Sequence, residues 1–336
     1  MKKIVIIGGG TGVFTVLSGL KEYSYHLSAI VTIADDGGSS GILREEFGIL
    51  PPGDIRRALV ALSSSSPFLA KLFQYRFKNG EGLKGHNFGN LFLTALEGLT
   101  GDFNQAVKEA GNILGIKGEV IPVSLDNTRL FARLENDFLV IGESNIDAPK
   151  HDGNLLIKEV FLNPLAKANK EALQVIKKAD LIIIGPGDLY TSIIPNFLVK
   201  GIKEAVKKSK AKKIYVCNIM TKYGETNHFT AEKFLSVLEK YLGKGVIDYF
   251  LINVERPQKS YLEKYKREKA ELVKYDKKYL SSLKKPKVIF AKLVRNTPLL
   301  RHDPKKLAKV IIKLFPVIAR TPAKAGGRSN LYSYHS

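Results

Sequence analysis

The stretch 4-IVIIGGGTG-12 runs four apolar residues into three consecutive glycines, Thr11 and Gly12. Glycines at the end of a buried strand let backbone amides approach a phosphate. A helix starting there adds unpaired N–H groups and the positive end of its dipole. Gly9, Gly10, Thr11 and Gly12 are therefore candidates for an anion-binding turn, with a purely structural tight turn as the plainer alternative. The dinucleotide pattern G-x-G-x-x-G is not met, because counting from Gly8 puts the third glycine at Val13, and no Walker lysine follows.

A second candidate is 34-ADDGGSSGILREEFG-48. An acidic residue after the second strand can grip a ribose diol, and Asp35 holds that place. Asp35 and Asp36 together could instead hold a divalent cation beside phosphate oxygens, since hard carboxylate oxygens suit magnesium. Ser39 and Ser40 add hydroxyl donors. The alternative is a solvated turn whose aspartate caps the next helix. In 51-PPGDIRRAL-59, Asp54 stands where an N-cap belongs, and Arg56 and Arg57 fall in the first turn, where the helix dipole disfavours cations. That placement suits a nearby anion.

Three more stretches carry polar groups. In 85-GHNFGN-90, His86, Asn87 and Asn90 are side chains that read hydroxyls, amides and base edges. In 185-GPGDLYTSIIPN-196, Gly185 and Gly187 make another tight turn ahead of Asp188. In 217-CNIMTKYGETNHFT-230, Asn218 and Thr221 follow an apolar run. Four strand ends thus carry small, glycine-rich polar loops, and ligands of open α/β sheets bind at such ends. No zinc-type Cys/His cluster, nucleophile elbow or kinase signature is present.

Most of the apolar runs that feed these loops, at 3–8, 28–34, 180–185, 212–218, 246–253 and 286–294, are continuous and β-branched, as in strands covered on both faces. Helical patterns lie between them at 11–20, 54–62, 68–77, 87–99, 195–207 and 231–242. The alternation predicts a doubly wound, mostly parallel α/β sheet. Short runs between turn residues over 119–163 predict an inserted antiparallel β meander. The expected organisation is a single domain over 1–318 with that insertion, then a polar, flexible tail at 319–336.

The 336 residues carry a net charge of +21, which attracts polyanions. The lysines are dispersed over helix faces, and no recognition motif accompanies them, so a specific nucleic-acid partner is not expected. The single cysteine, Cys217, lies in an apolar run and reads as a core residue. No apolar run approaches the ~18 residues of a membrane span, and no leader peptide is evident, so a soluble cytoplasmic protein is expected. A homo-oligomer is compatible with the sequence.

The motifs GGGTG, TIADDGGSSG, LPPGDIR, GHNFGN, GPGDLYTSIIPN and CNIMTKYGET, taken in order, resemble those of the gluconeogenesis-factor family. This is the YvcK branch of a CofD-like group that includes 2-phospho-L-lactate transferase. The likeness runs from residue 4 to about 315 and includes 299-LLRHDPKKLAKVI-311. It implies a Rossmann-like core with an extra β element. For this branch it implies binding of a nucleotide sugar, notably UDP-N-acetylglucosamine, or of a related dinucleotide. It also implies a role in cell shape and cell-wall precursor supply during gluconeogenic growth, through an enzyme forming glucosamine 6-phosphate. The transferase relatives imply the alternative: magnesium-dependent transfer from a nucleoside-diphosphate-activated donor. On the ligand reading, phosphates rest on the Gly8–Gly12 and Gly185–Gly187 turns. Asp35 or Asp36 meets ribose or cation, His86, Asn87 and Asn218 read base or sugar, and Arg301 is a peripheral phosphate partner. The chain departs from the family pattern at Asp188, usually Ser, and at Pro304, where relatives often carry a phosphorylatable Thr.

Overall fold

Among the described residues ten strands are formed: β1 (Lys3–Gly8), β2 (His26–Val31), β3 (Glu119–Pro122), β4 (Arg129–Leu134), β5 (Leu139–Ile141), β6 (Ile157–Asn163), β7 (Leu181–Ile184), β8 (Lys212–Val216), β9 (Tyr249–Asn253) and β10 (Lys287–Ala291). The computed structural model describes residues 1–295 and 297–316, so the tail expected at 319–336 lies outside the described residues. Seven strands make one sheet, ordered β10-β9-β8-β7-β1-β2-β3, in which every neighbouring pair is parallel. Its central strands have no exposed side: Ile4, Ile6 and Ile7 of β1 and all four residues of β7 are fully buried. Helices Gly10–Leu20, Lys170–Lys178 and Ile194–Leu198 pack on β1, which is why its sequence is apolar without alternation.

The chain builds outward from β1 in one direction through β2 and β3, then returns to β7 and builds the other way. The switch point of the sheet is therefore the crevice between β1 and β7, at their carboxyl ends. The loops beginning at Gly9 and at Gly185 both leave the sheet there.

β4, β5 and β6 form a separate antiparallel sheet ordered β5-β4-β6. The run 119–124, expected to open that insertion, joins the main sheet instead, with Ala29 opposite Val120 and Ile30 opposite Ile121. The helix Phe103–Ile113, absent from the expected pattern, precedes that strand and packs against it. Asp102 caps it by accepting from the Gln105 amide, and Phe103, Ala106, Val107 and Ala110 are buried on one face.

The expected helix at 195–207 is two. A π-helical turn, Leu189–Ile193, leads into Ile194–Leu198, and a second helix runs Ile202–Lys208. Between them Gly201 takes φ +103°, which breaks the ladder. The helix Pro304–Leu314 starts with Asp303 accepting from the amides of Lys305 and Lys306, and proline suits that first turn. It crosses the helix Gly10–Leu20 at Gly19, where a β-carbon would stand 2.2 Å from the Pro304 carbonyl oxygen. Among the described residues, no helix is long and apolar enough to cross a membrane.

Candidate functional site

A cavity of about 850 Å³ opens over the carboxyl ends of the central strands. Its floor is the loop after β1. Gly9 is the N-cap of the helix Gly10–Leu20 and brings no side-chain cap, while the buried Asp54 carboxylate meets the Gly10 amide from the neighbouring helix. Gly10, at φ +56°, turns the chain into that helix. Gly9, Gly10, Thr11 and Gly12 all line the cavity, together with Gly187 and Asp188 from the loop after β7. The Asn218 side chain, at the end of β8, accepts from the Gly187 amide at 3.3 Å and fixes that second loop.

Asp35, Ser39, Ser40, Arg56, Asn90, Asn218, Thr221 and Arg301 also face the cavity. Arg56 is buried and bound. Its Nε donates to Asn90 Oδ1 at 2.8 Å, and one terminal nitrogen donates to the Phe73 carbonyl at 3.3 Å. Burial, with Arg57 and Arg76 beside it, lowers its pKa to about 10. The more exposed cations at the rim are Arg57, 45% exposed at its side chain, and Arg76 and Arg301.

Three sequence candidates serve the frame rather than the cavity wall. The Asn87 side chain caps the helix Phe88–Thr100 by accepting from the Asn90 amide. His86 is buried, with Nδ1 3.3 Å from Ser39 Oγ. Gly185, at φ +69°, forms the turn beneath, against Ile193 and the Val216 carbonyl.

Asp35 and Asp36 diverge. Asp36 accepts from the backbone amides of Glu143 and Ser144, at 3.2 and 2.8 Å, and from the Ser144 hydroxyl. It thereby caps the short helix Glu143–Asp147, which the insertion brings over the cavity. Asp35 faces inward, and its neighbour in charge is Asp54. That residue is not the N-cap expected from its position: Pro52 holds the cap, and Asp54 sits buried in the first turn, 3.1 Å from Arg57. Burial, then the Asp35 charge, raise the Asp54 pKa to about 6, against the pull of Arg57 and the Gly10 amide. Asp35, Asp54 and the nearby Ser40 hydroxyl form an all-oxygen donor set beside the glycine turn, which suits a hard divalent cation.

On the opposite wall the loops after β7 and β8 lie within stretches the sequence marks, 185–196 and 217–230, whereas the insertion carries no motif. Glu143, Ser144 and Asp147 arrive from the insertion, and Lys222 and Tyr223 from the loop after β8. Lys222 Nζ donates to Asp147 and lies 3.1 Å from Asp188 and 3.8 Å from Glu225. Glu225 is buried, accepting from the Tyr190 amide at 3.2 Å and the Thr191 hydroxyl at 3.1 Å. Burial and Asp188 raise its pKa above the ordinary carboxyl range. Burial alone would lower the Lys222 pKa, but the three carboxylates outweigh it and raise it. Burial, then Asp35 and Asp147, push Glu143 up to about 10. His302 also lines the cavity; burial drops it to about 4, and its Nε2 has no partner among the described residues.

The cavity thus mixes charges on both walls, with arginines beside Asp35 and Asp54 at the glycine turns and Lys222 among Asp147, Asp188 and Glu225 opposite. It offers hydrogen-bond donors to phosphate oxygens and acceptors to hydroxyl groups.

The family model of 2-phospho-L-lactate transferase CofD matches residues 4–294. The chain is 44% identical over 313 residues to the gluconeogenesis factor of Halalkalibacterium halodurans, covering 93% of this chain and 96% of that one. It is also 44% identical over 313 residues to the gluconeogenesis factor of Bacillus subtilis, covering 93% and 98%. A crystal structure of a UPF0052-family protein from Bacillus halodurans superposes with a TM-score of 0.88 at 44% identity, over 93% of this chain and all of that one. The chain therefore belongs to the CofD-like family, which joins the gluconeogenesis factors to 2-phospho-L-lactate transferase.

Proposed function

We propose that this chain is a gluconeogenesis factor that works by binding a nucleoside-diphosphate sugar, UDP-N-acetylglucosamine being the first candidate, in the cavity at the β1/β7 switch point. The observation carrying this reading is the meeting of two glycine turns, Gly9–Gly12 and Gly185–Gly187, at one crevice lined by Arg57, Arg76 and Arg301. Two phosphates fit the helix-terminal amides of Thr11 and Gly12 beside cations. The carboxylates of Asp147 and Asp188 are acceptors suited to sugar hydroxyls. As a regulator in the cytoplasm, the ligand-bound protein would act on an enzyme forming glucosamine 6-phosphate and so support cell shape under gluconeogenic growth.

One observation favours a second reading, magnesium-dependent transfer from a nucleoside-diphosphate-activated donor. Asp35 and Asp54 stand together at the glycine turn and would hold the cation, which supplies charge neutralisation to a leaving diphosphate. Titration calorimetry with UDP-N-acetylglucosamine, UDP and a dinucleotide, with and without magnesium, tests the binding reading. Saturable heat with the sugar nucleotide supports it. Absence of heat from folded protein at millimolar ligand contradicts it. Product analysis of the same mixtures separates the readings, because a regulator returns the ligand intact.

A further inference from the structure

The charge of the chain is segregated. Residues 1–200 hold 21 basic and 21 acidic side chains, whereas residues 201–336 hold 32 and 11. The second stretch supplies β8, β9 and β10, at one edge of the main sheet. Parallel topology gathers the lysines further. All seven strands run the same way, so their amino ends share one rim, at the opposite end from the cavity. Lysines lead into most of them: Lys3 at β1, 177-KK-178 before β7, 207-KKSKAKK-213 at β8, Lys244 before β9 and 284-KKPK-287 at β10. All of these except Lys213 are exposed.

Backbone hydrogen bonds join these lead-ins rung by rung. The Asp180 amide donates to the Lys3 carbonyl at 2.9 Å, and the Lys212 amide to the Asp180 carbonyl at 3.2 Å. The Asp248 amide donates to the Lys213 carbonyl, and the Lys287 amide to the Asp248 carbonyl, both at 2.9 Å. At about 4.8 Å per strand, the row from β1 to β10 spans about 19 Å. Its two aspartates are already engaged. Asp180 accepts from the Lys3 amide at 2.8 Å, and Asp248 accepts from the Lys213 amide at 2.9 Å and pairs with Lys285 at 3.1 Å. Helix dipoles account for only part of the row. Lys177, Lys178, Lys207 and Lys208 close helices, where cations are favoured. Lys3, Lys212 and Lys287 open strands, where the dipole is small.

The occupant is a polyanion, and the form of the row selects its class. Among the described residues, no large exposed apolar side chain lies within these lead-ins. A protein partner would need an apolar interface core, and lasting attachment to a lipid surface takes an apolar anchor beside the basic cluster. A line of ammonium point charges instead matches a line of phosphates. We propose that this rim binds the phosphate backbone of a nucleic acid, without sequence selectivity, at the end of the sheet opposite the nucleotide-sugar cavity. The lysines are dispersed along the sequence, and the parallel sheet brings them into register.

Fluorescence anisotropy of a labelled oligouridylate and a labelled mixed-sequence single strand, titrated with the full chain between about 50 and 200 mM salt, tests this. Both strands are expected to bind alike, with affinity falling steeply as salt rises. Joint replacement of Lys210, Lys212, Lys284 and Lys287 by Gln should weaken binding about tenfold or more and reduce the log–log salt slope by about 3. Joint replacement of Lys259, Lys264, Lys266 and Lys305 by Gln removes the same charge at the cavity end, beside Tyr265 and His302, and should change affinity by less than about threefold. Thermal melting establishes that both variants are folded. Saturating UDP-N-acetylglucosamine should leave nucleic-acid binding unchanged. No binding at the lowest salt overturns the proposal, as does equal weakening by the two variants or a rim variant that binds like wild type. Binding to phosphatidylserine vesicles without binding to either strand also overturns it and gives the rim to a lipid surface.

Discussion

A β-carbon on Gly12 would stand 1.7 Å from the carbonyl oxygen of Pro186, so the loops after β1 and β7 touch backbone to backbone. This contact joins the two halves of the sheet at the switch point and sets the spacing of both glycine turns. Gly12 therefore serves loop packing, whereas Gly9 and Gly10 shape the helix end. Gly12→Ala must part the loops, because the obstacle is backbone and cannot rotate away. The expected cost is about 1–3 kcal/mol of stability by urea denaturation, together with loss of nucleotide binding.

Asp54 makes stability pH-dependent in a stated direction. Its pKa rises from 3.8 to about 6 on folding, so between those values the folded chain holds a proton that the unfolded chain has lost. The Asp54 contribution to stability therefore falls as pH rises through this window. Asp54→Asn should match wild type at the acid end of the window and exceed it above about pH 7. Urea midpoints across pH check this, and a gap that widens toward acid would show the sign to be wrong.

Lys222 neutralises Asp147, Asp188 and Glu225 in a partly enclosed cluster. Lys222→Met strands three carboxylates, and removal of one partner of a buried charge cluster costs about 3–5 kcal/mol. The loss should be largest at alkaline pH, where all three carboxylates are ionised, and smaller in acid. Adding Glu225→Gln should recover part of it. Differential scanning calorimetry of the single and double variants measures both effects.

The diverging aspartates separate experimentally. Asp36→Ala removes the cap of the helix Glu143–Asp147 and should cost about 1 kcal/mol of stability. Asp35→Asn leaves that cap intact. It should weaken magnesium-dependent nucleotide binding about tenfold or more while leaving the melting temperature within a few degrees. Equal effects of both substitutions on magnesium dependence would restore the adjacent pair as a joint cation site.

The glycine and arginine side of the cavity was readable in the sequence because a strand end, a glycine turn and a helix start are local signals. Asp35, Arg56 and Asn90 were found for that reason. On the carboxylate side Asp188 lies in a loop the sequence marks, whereas Glu143 and Asp147 have no local signal, since they come from a short helix inserted far from the glycine turns. Asp36, accepting from the Glu143 and Ser144 amides, and Lys222, paired with Asp147, hold that helix over the crevice. The strand 119–122 was misassigned for a related reason. Four residues cannot encode which sheet they join, and the helix Phe103–Ile113 that packs against them is absent from the expected pattern. Asp54 shows the same limit: its place in the chain resembles a cap, while its buried carboxylate accepts from the Gly10 amide and pairs with Arg57.

A crystal structure of the chain soaked with UDP-N-acetylglucosamine addresses the shared crevice directly. The expected result is a diphosphate within hydrogen-bond distance of the Thr11 and Gly12 amides, with the sugar toward Asp147 and Asp188. A ligand seated instead in the second cavity, about 680 Å³ beside Lys3 and Lys178 at the opposite end of the strands, would contradict it.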